Sequence, residues 1–219
     1  MSRPRVLHET KRRPEEMPPP PEPTLTPHCW LSEASARAYD SVRSSGRPFD
    51  LYLSHQAVAS MMSHAAREAP RMLEVMGFML GDVGSWKGDV YTTVRDVVTT
   101  DLKSTPSKVR FDREALPKLF NGLDGSGFDY ILVGWYHSHP GHTCFMSRTD
   151  LETQRTMFDQ PYHTALVIDP LNEDIKAFKL SGKGYVEVPF TLTDVLSPAR
   201  PATRRTRRLK DGRGGTAKL

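Results

Sequence analysis

Two histidines one residue apart, His137-Ser138-His139, with a carboxylate at Asp150, restrict the possible folds more than any other feature of this chain. On an extended strand the side chains repeat every second residue, so both imidazoles project to the same side. Asp150 lies eleven positions beyond the second histidine. It returns to that side if the chain turns and starts a helix. Two neutral nitrogens and one hard oxygen suit zinc, and three protein ligands leave a fourth position for water. The motif therefore points to a catalytic rather than a structural zinc, one ion per chain, and to a hydrolase.

The rest of the chain has to build a frame for that strand. Ser54 is a plausible N-cap for a helix from His55 to Ala69, whose stripe Val58, Met61, Met62, Ala65 and Ala69 reads as core. Pro70 ends it. Glu74 to Leu80, closed by Gly81-Asp82, suits a buried strand, and Val90 to Thr100 is rich in Val, Thr and Tyr. Asp101 to Arg110 reads as a loop, Asp112 caps a helix to about Phe120, and a Gly-rich turn covers Asn121 to Gly127. Tyr130 to Ser138 is the strand that delivers the histidines. A helix from Asp150 to Phe158 follows, capped by Ser147 or by Thr149 with Glu152 as a capping box. Thr164 to Asp169, Ile175 to Leu180 and Tyr185 to Phe190 are three further strands, with Asp169-Pro170-Leu171-Asn172 as a turn. Strands interleaved with a few helices predict an α/β or α+β layered domain with a central mixed sheet flanked by helices.

The expected boundaries are a proline- and charge-rich N-terminal extension at residues 1–48, a catalytic domain at 49–197 and a basic, disordered tail at 198–219. A short helix at Trp30 to Val42 is expected within the extension. The formal net charge of +4 is unevenly spread. The tail carries eight Lys/Arg and one acid, residues 1–48 carry eight and six, and the remainder is net negative by five. The basic surplus belongs to the ends, which argues against a nucleic-acid-binding domain. Two cysteines, Cys29 and Cys144, form no disulfide framework and no CxxC pair. A reducing compartment, and so the cytoplasm, is expected. No apolar run approaches the roughly twenty residues of a membrane helix, and no secretory signal is visible.

Zinc chemistry also needs a carboxylate that moves protons without being a ligand. Glu74 is the best candidate, because it opens an otherwise apolar run where a charge is costly unless it faces a cleft or partner. Leu73-Glu74-Val75-Met76-Gly77-Phe78-Met79-Leu80-Gly81, Gly134-Trp135-Tyr136-His137-Ser138-His139-Pro140-Gly141 and Cys144-x-x-Ser147-x-x-Asp150 together resemble the JAMM (MPN+) metalloprotease family. The similarity is greatest to the branch of the proteasome-lid deubiquitinase, its archaeal homologues and the signalosome deneddylase. It runs from about Leu51 to Thr193. The resemblance implies an MPN (cytidine-deaminase-like) domain with zinc on His137, His139 and Asp150. It implies Glu74 as general base and then acid, and Ser147 as a donor to the tetrahedral oxyanion. The implied substrate is ubiquitin or a ubiquitin-like protein, cut after its C-terminal diglycine. The implied partners are a proteasome-type assembly or a second MPN domain.

Several residues keep a plainer reading beside the functional one. Ser147 also serves as an N-cap, Asp150 also complements a helix dipole, His142 reads as a solvated loop residue and Cys144 as a packing thiol. Asp101 to Arg110 is either an ordinary surface connection or the family's insertion that pairs with an incoming tail. Arg213-Gly214-Gly215 resembles the end of a ubiquitin-like modifier and is a candidate for substrate mimicry or clipping. Alternative functions are processing of diglycine-terminated sulfur-carrier proteins, or a scaffold subunit acting only within a larger assembly. A zinc nucleobase deaminase is excluded by the lack of His-x-Glu with Pro-Cys-x-x-Cys.

Overall fold

The computed structural model describes residue 20 and residues 32–99 and 130–194. The expectations for the proline-rich N-terminus, the segment 101–127 and the basic tail with its Arg-Gly-Gly fall outside the described residues. One eight-stranded mixed sheet organises the rest. In chain order the elements are helix α1 (Glu33–Ser45), strand β1 (Leu51–Ser54), helix α2 (His55–Glu68) with a 3-10 turn at Ala69–Arg71, and strands β2 (Met76–Trp86), β3 (Asp89–Thr99) and β4 (Ile131–Ser138). Helix α3 (Arg148–Met157) follows, then β5 (Thr164–Asp169), β6 (Asp174–Ser181), β7 (Gly184–Val188) and β8 (Phe190–Thr193). The spatial order is β7-β6-β5-β4-β2-β3-β1-β8. The outermost strands β7 and β8 are separated in sequence by Pro189 alone, so the sheet must curl until its edges nearly meet. The expected single strand from Tyr185 to Phe190 is therefore two strands, because proline removes a ladder donor where the chain changes edge.

Local chemistry explains the helices. Ser54 accepts from the Ala57 N–H and caps α2, as expected, and Ser32 does the same for α1 through Ser35. Gly46, at φ 67°, ends α1 in the left-handed conformation that glycine adopts without cost. On α2 the stripe Ala57, Val58, Met61 and Ala65 is buried against Leu51, Val94, Leu166 and Ile168 on one face of the sheet. The opposite face carries Met76, Phe78, Trp135, Ala165, Val167 and Phe178, covered by Phe158 and Cys144. Tyr39 of α1 joins Phe49, Tyr52 and Tyr91 in a third cluster. No helix among the described residues is long and apolar enough to cross a membrane.

Two sequence expectations are corrected here. Gly81-Asp82 does not close β2, which continues to Trp86 and turns at Lys87-Gly88, where both residues have positive φ. Gly81 instead sits at a register shift between β2 and β3. A Cβ built there would stand 1.8 Å from the Thr93 carbonyl oxygen, so glycine marks close strand approach and not a turn. The capping box of α3 is Ser147 with Asp150, not Thr149 with Glu152.

The topology gathers three chain segments at one end of the sheet. β4 runs antiparallel to β2, pairing His137 with Met76, and parallel to β5, pairing His137 with Val167. The start of β2 and the ends of β4 and β5 therefore lie side by side. Asp169, fully buried, ties the loops there together. One of its oxygens accepts from the Gly141, Leu171 and Asn172 N–H groups, the other from the Thr143 N–H and the Asn172 side-chain amide, at 2.7–3.2 Å. Burial opposes its ionisation, but the bonds from Gly141, Asn172 and Thr143 outweigh burial and hold its pKa below the ordinary value.

Two measurements check this frame. Gly81→Ala should lower unfolding free energy by about 1–3 kcal/mol, the usual cost of forced overpacking. Unchanged urea stability would contradict the close approach. A group with a depressed folded pKa contributes stability above its unfolded pKa near 4, and that stability is lost as pH falls through the folded value. Asp169→Asn should therefore cost roughly 1–3 kcal/mol at pH 7. The gap to wild type should shrink only below about pH 4. A gap that persists at pH 2–3 would show that the charge is not what holds the loops.

Candidate functional site

His137 and His139 occupy the last residue but one of β4 and the position just after it. Both are buried, at 1% and 4% exposed. Strand alternation brings the rings to one side, with centroids 4.8 Å apart. The chain then leaves through Pro140 and Gly141, crosses the loop held by Asp169, and enters α3 at Ser147. Ser147 caps the helix by accepting from the Asp150 N–H at 3.2 Å, while the Asp150 carboxylate accepts from the Ser147 N–H at 2.8 Å. That reciprocal box fixes Asp150 in the first turn, and the oxygen that accepts from Ser147, Oδ2, is the one that faces the histidines.

His137 Nε2 and His139 Nε2 each lie 3.5 Å from the same oxygen, Asp150 Oδ2. This is too long for a strong hydrogen bond. It matches three donors around one small ion, since ligands about 2.1 Å from a tetrahedral centre stand about 3.4 Å apart. One ligand atom from each residue lies within 4.8 Å of the others, and among the described residues this is the group of His, Cys, Asp and Glu able to hold a metal. Both nitrogens of His137 and Nδ1 of His139 are buried without a hydrogen-bond partner. Buried polar atoms in native proteins are almost always paired, so this donor set fits a cation.

Electrostatics differ between the two rings: burial lowers the His139 pKa, but Asp150 and Glu74 outweigh burial and raise it, whereas His137 is shifted the other way. Burial lowers the His137 pKa and outweighs the pull of Asp150, which keeps the ring neutral, the form that ligates a metal. Burial opposes ionisation of Asp150, yet contacts with His137, His139 and the Ser147 cap hold its pKa far below the usual range.

Glu74, expected to open a strand, lies two residues before β2 (Met76–Trp86), in the segment leading into the neighbouring strand. Val75 N donates to Ser138 Oγ at 3.0 Å, and Ser138 N donates to the Val75 carbonyl at 2.9 Å, so the main chain beside Glu74 is clamped to the histidine strand. Glu74 is half-buried. Burial raises its pKa first, His139 opposes that, and Asp150 adds to it, so the carboxylate lies within the field of the triad. The structure thus brings together all five residues singled out in the sequence. His142 is exposed and outside the metal-capable group, and Cys144 is a buried free thiol donating to the Val167 carbonyl. Burial pushes that thiol's pKa up, as expected of a packing cysteine. Phe145 lies against His139 with centroids 4.9 Å apart and stays 41% exposed, a partly apolar lip beside the site.

Two neighbours were not foreseen. Trp135 stacks on His137 at 4.4 Å and 13°, and its indole N–H donates to Gln154 Oε1 at 2.6 Å. Gln154 is 1% exposed inside α3, and the sequence signal was its position four residues after Asp150, on the same helix face.

Known proteins share this frame. The solution structure of protein DSY2949 from Desulfitobacterium hafniense superposes with a TM-score of 0.50 at 24% identity, covering 67% of this chain and 94% of that one. The 26S proteasome regulatory subunit RPN11 of Eremothecium gossypii is 38% identical over 125 residues, covering 55% of this chain and 38% of its own length. The ubiquitin carboxyl-terminal hydrolase RPN11 of Saccharomyces cerevisiae is 34% identical over 142 residues, 61% of this chain and 44% of that protein. The COP9 signalosome complex subunit 5 of Debaryomyces hansenii is 34% identical over 142 residues, 63% of this chain and 27% of that protein. The matched segment thus spans less than half the length of these curated relatives. The family model described as JAB1/Mov34/MPN/PAD-1 ubiquitin protease matches residues 50–160, from the strand before α2 to just past α3, and the chain belongs to that family.

Proposed function

We propose that the chain is a zinc-dependent isopeptidase that hydrolyses the amide bond after the C-terminal diglycine of ubiquitin or a ubiquitin-like protein. The observation that carries this reading is the convergence of His137, His139 and Asp150 donor atoms within 4.8 Å, with buried histidine nitrogens left unpaired. These three residues would hold the ion. Bound there, zinc would polarise the scissile carbonyl and make water a competent nucleophile near neutral pH.

The remaining chemistry falls to the protein. Glu74, clamped beside the histidine strand and raised in pKa by burial, takes the proton of the attacking water and returns it to the leaving lysine amine. Ser147 accepts the Asp150 N–H through a lone pair, and its hydroxyl hydrogen remains to donate to the oxyanion. Capping and oxyanion donation are thus compatible in one side chain. A diglycine substrate suits the site, because a backbone without side chains can approach closely. The relatives' names add a second element: RPN11 and COP9 signalosome subunit 5 are named as subunits of larger complexes. A proteasome-type assembly or an MPN partner is the corresponding context for this chain.

The test is cleavage of a ubiquitin-like protein fused through its diglycine, with a diglycine-terminated sulfur-carrier fusion in parallel. Wild type should bind one zinc per chain, and removal by chelator should abolish turnover that added zinc restores. Glu74→Gln should keep the zinc and lose roughly 10²–10⁴-fold in kcat. Ser147→Ala should lose about 10²–10³-fold. Undiminished cleavage by Glu74→Gln would remove the proposed proton carrier. A wild-type chain that binds no zinc would leave the scaffold reading in its place, and one that cleaves only after an MPN partner is added would establish assembly dependence.

A further inference from the structure

We infer that Trp135 and Gln154 are a positioning pair that sets the separation of His137 from Asp150, and hence the metal affinity of the site. It rests on the metal reading above.

A metal-binding histidine ordinarily donates its second ring N–H to a carboxylate or carbonyl, which fixes the plane of the ring. His137 presents Nε2 to Asp150, and its Nδ1 is buried with no hydrogen-bond partner. Something else must hold that ring. Trp135 does so by stacking: the indole lies parallel to the imidazole at 4.4 Å and 13°. Phe158 stacks on Trp135 at 5.7 Å and 13° in turn. The indole cannot slide along this stack, because its N–H is bonded to Gln154 Oε1 at 2.6 Å, and Gln154 Nε2 is bonded to the Phe158 carbonyl at 2.9 Å.

The same bond fixes the register of α3 against β4. Trp135 and His137 are two residues apart on a strand, an advance of about 6.7 Å. Asp150 and Gln154 are four residues apart on a helix, an advance of about 6 Å. The two spacings are nearly equal, so Trp135–Gln154 and His137–Asp150 form two successive rungs between one strand and one helix. The helix runs back along the strand, as the parallel β4–β5 crossover requires. A rung with good hydrogen-bond geometry in the dry interior sets the spacing of its neighbour, whose own partners sit 3.5 Å apart and do not bond strongly. The buried amide is otherwise expensive, since a polar helix-interior residue at 1% exposure contributes little packing that Leu or Met would not supply.

The test uses the full chain and reads metal binding rather than turnover. Gln154→Met keeps side-chain length and removes both hydrogen bonds, and Trp135→Phe keeps an aromatic ring and removes the indole donor. Zinc affinity is measured by competition with a chromophoric chelator, and ligand geometry by the visible absorption of the cobalt-substituted protein. Each variant should bind zinc roughly 10–100-fold more weakly than wild type, the usual cost of losing a group that orients a ligand. The cobalt bands should shift, and the double variant should cost no more than the worse single one. Wild-type affinity and an unchanged cobalt spectrum in a folded variant would overturn the inference. Loss of folding in both variants would overturn it as well, since the pair would then support the core and not the register. A wild-type protein that fails to bind zinc would defeat the metal reading itself, which this design separates from failure of the pair.

Discussion

The pairing of β4 on both sides is the constraint from which the site follows. β4 is antiparallel to β2 and parallel to β5, so three chain segments meet at one end of the sheet. His137 is held between Met76 and Val167, and the main chain continues the ladder through Ser138 to Val75 and through His139 to Ile168. A strand pinned on both edges cannot slip, and a slip of one residue would send both imidazoles into the α2 face of the core. Hydrogen bonding of an ordinary sheet thus fixes the positions of the two histidines before any metal is considered.

Around that end the fold uses buried polar groups where most cores use apolar ones. Asp169 collects backbone donors from two loops, and Gln154 bonds Trp135 and the end of α3. Both polar atoms of each side chain have a partner, which keeps such groups from destabilising the interior. The exceptions are the unpaired nitrogens of His137 and His139. The contrast between these paired groups and the unpaired histidine nitrogens favours a cation at the centre of the site.

Much of this was legible in the chain because the relevant periods are short. The strand alternation that pairs His137 with His139, the cap at Ser54 and the core stripe of α2 all depend on residues close together in the chain. The errors came where distant contacts decide. Gly81 resembled a turn, and only the approach of Thr93 on the next strand reveals it as a point of close strand contact at a register shift. Pro189 lay between two apolar runs that pattern alone joined, and the curl of the whole sheet separates them. Gln154 carried no local signal beyond its spacing from Asp150, since its value lies in Trp135, nineteen residues earlier.

The chain itself therefore determined the proposed donor set, its placement on a strand end and a following helix, and the kind of ion such donors prefer, because ligand chemistry and side-chain periodicity are properties of residues. Tertiary structure decided the distances. It brought Glu74 alongside Ser138, placed two histidine nitrogens 3.5 Å from one oxygen, and locked α3 against β4. Those depend on strand order and helix register, which arise from burial summed over the whole sheet and which no short window of sequence contains.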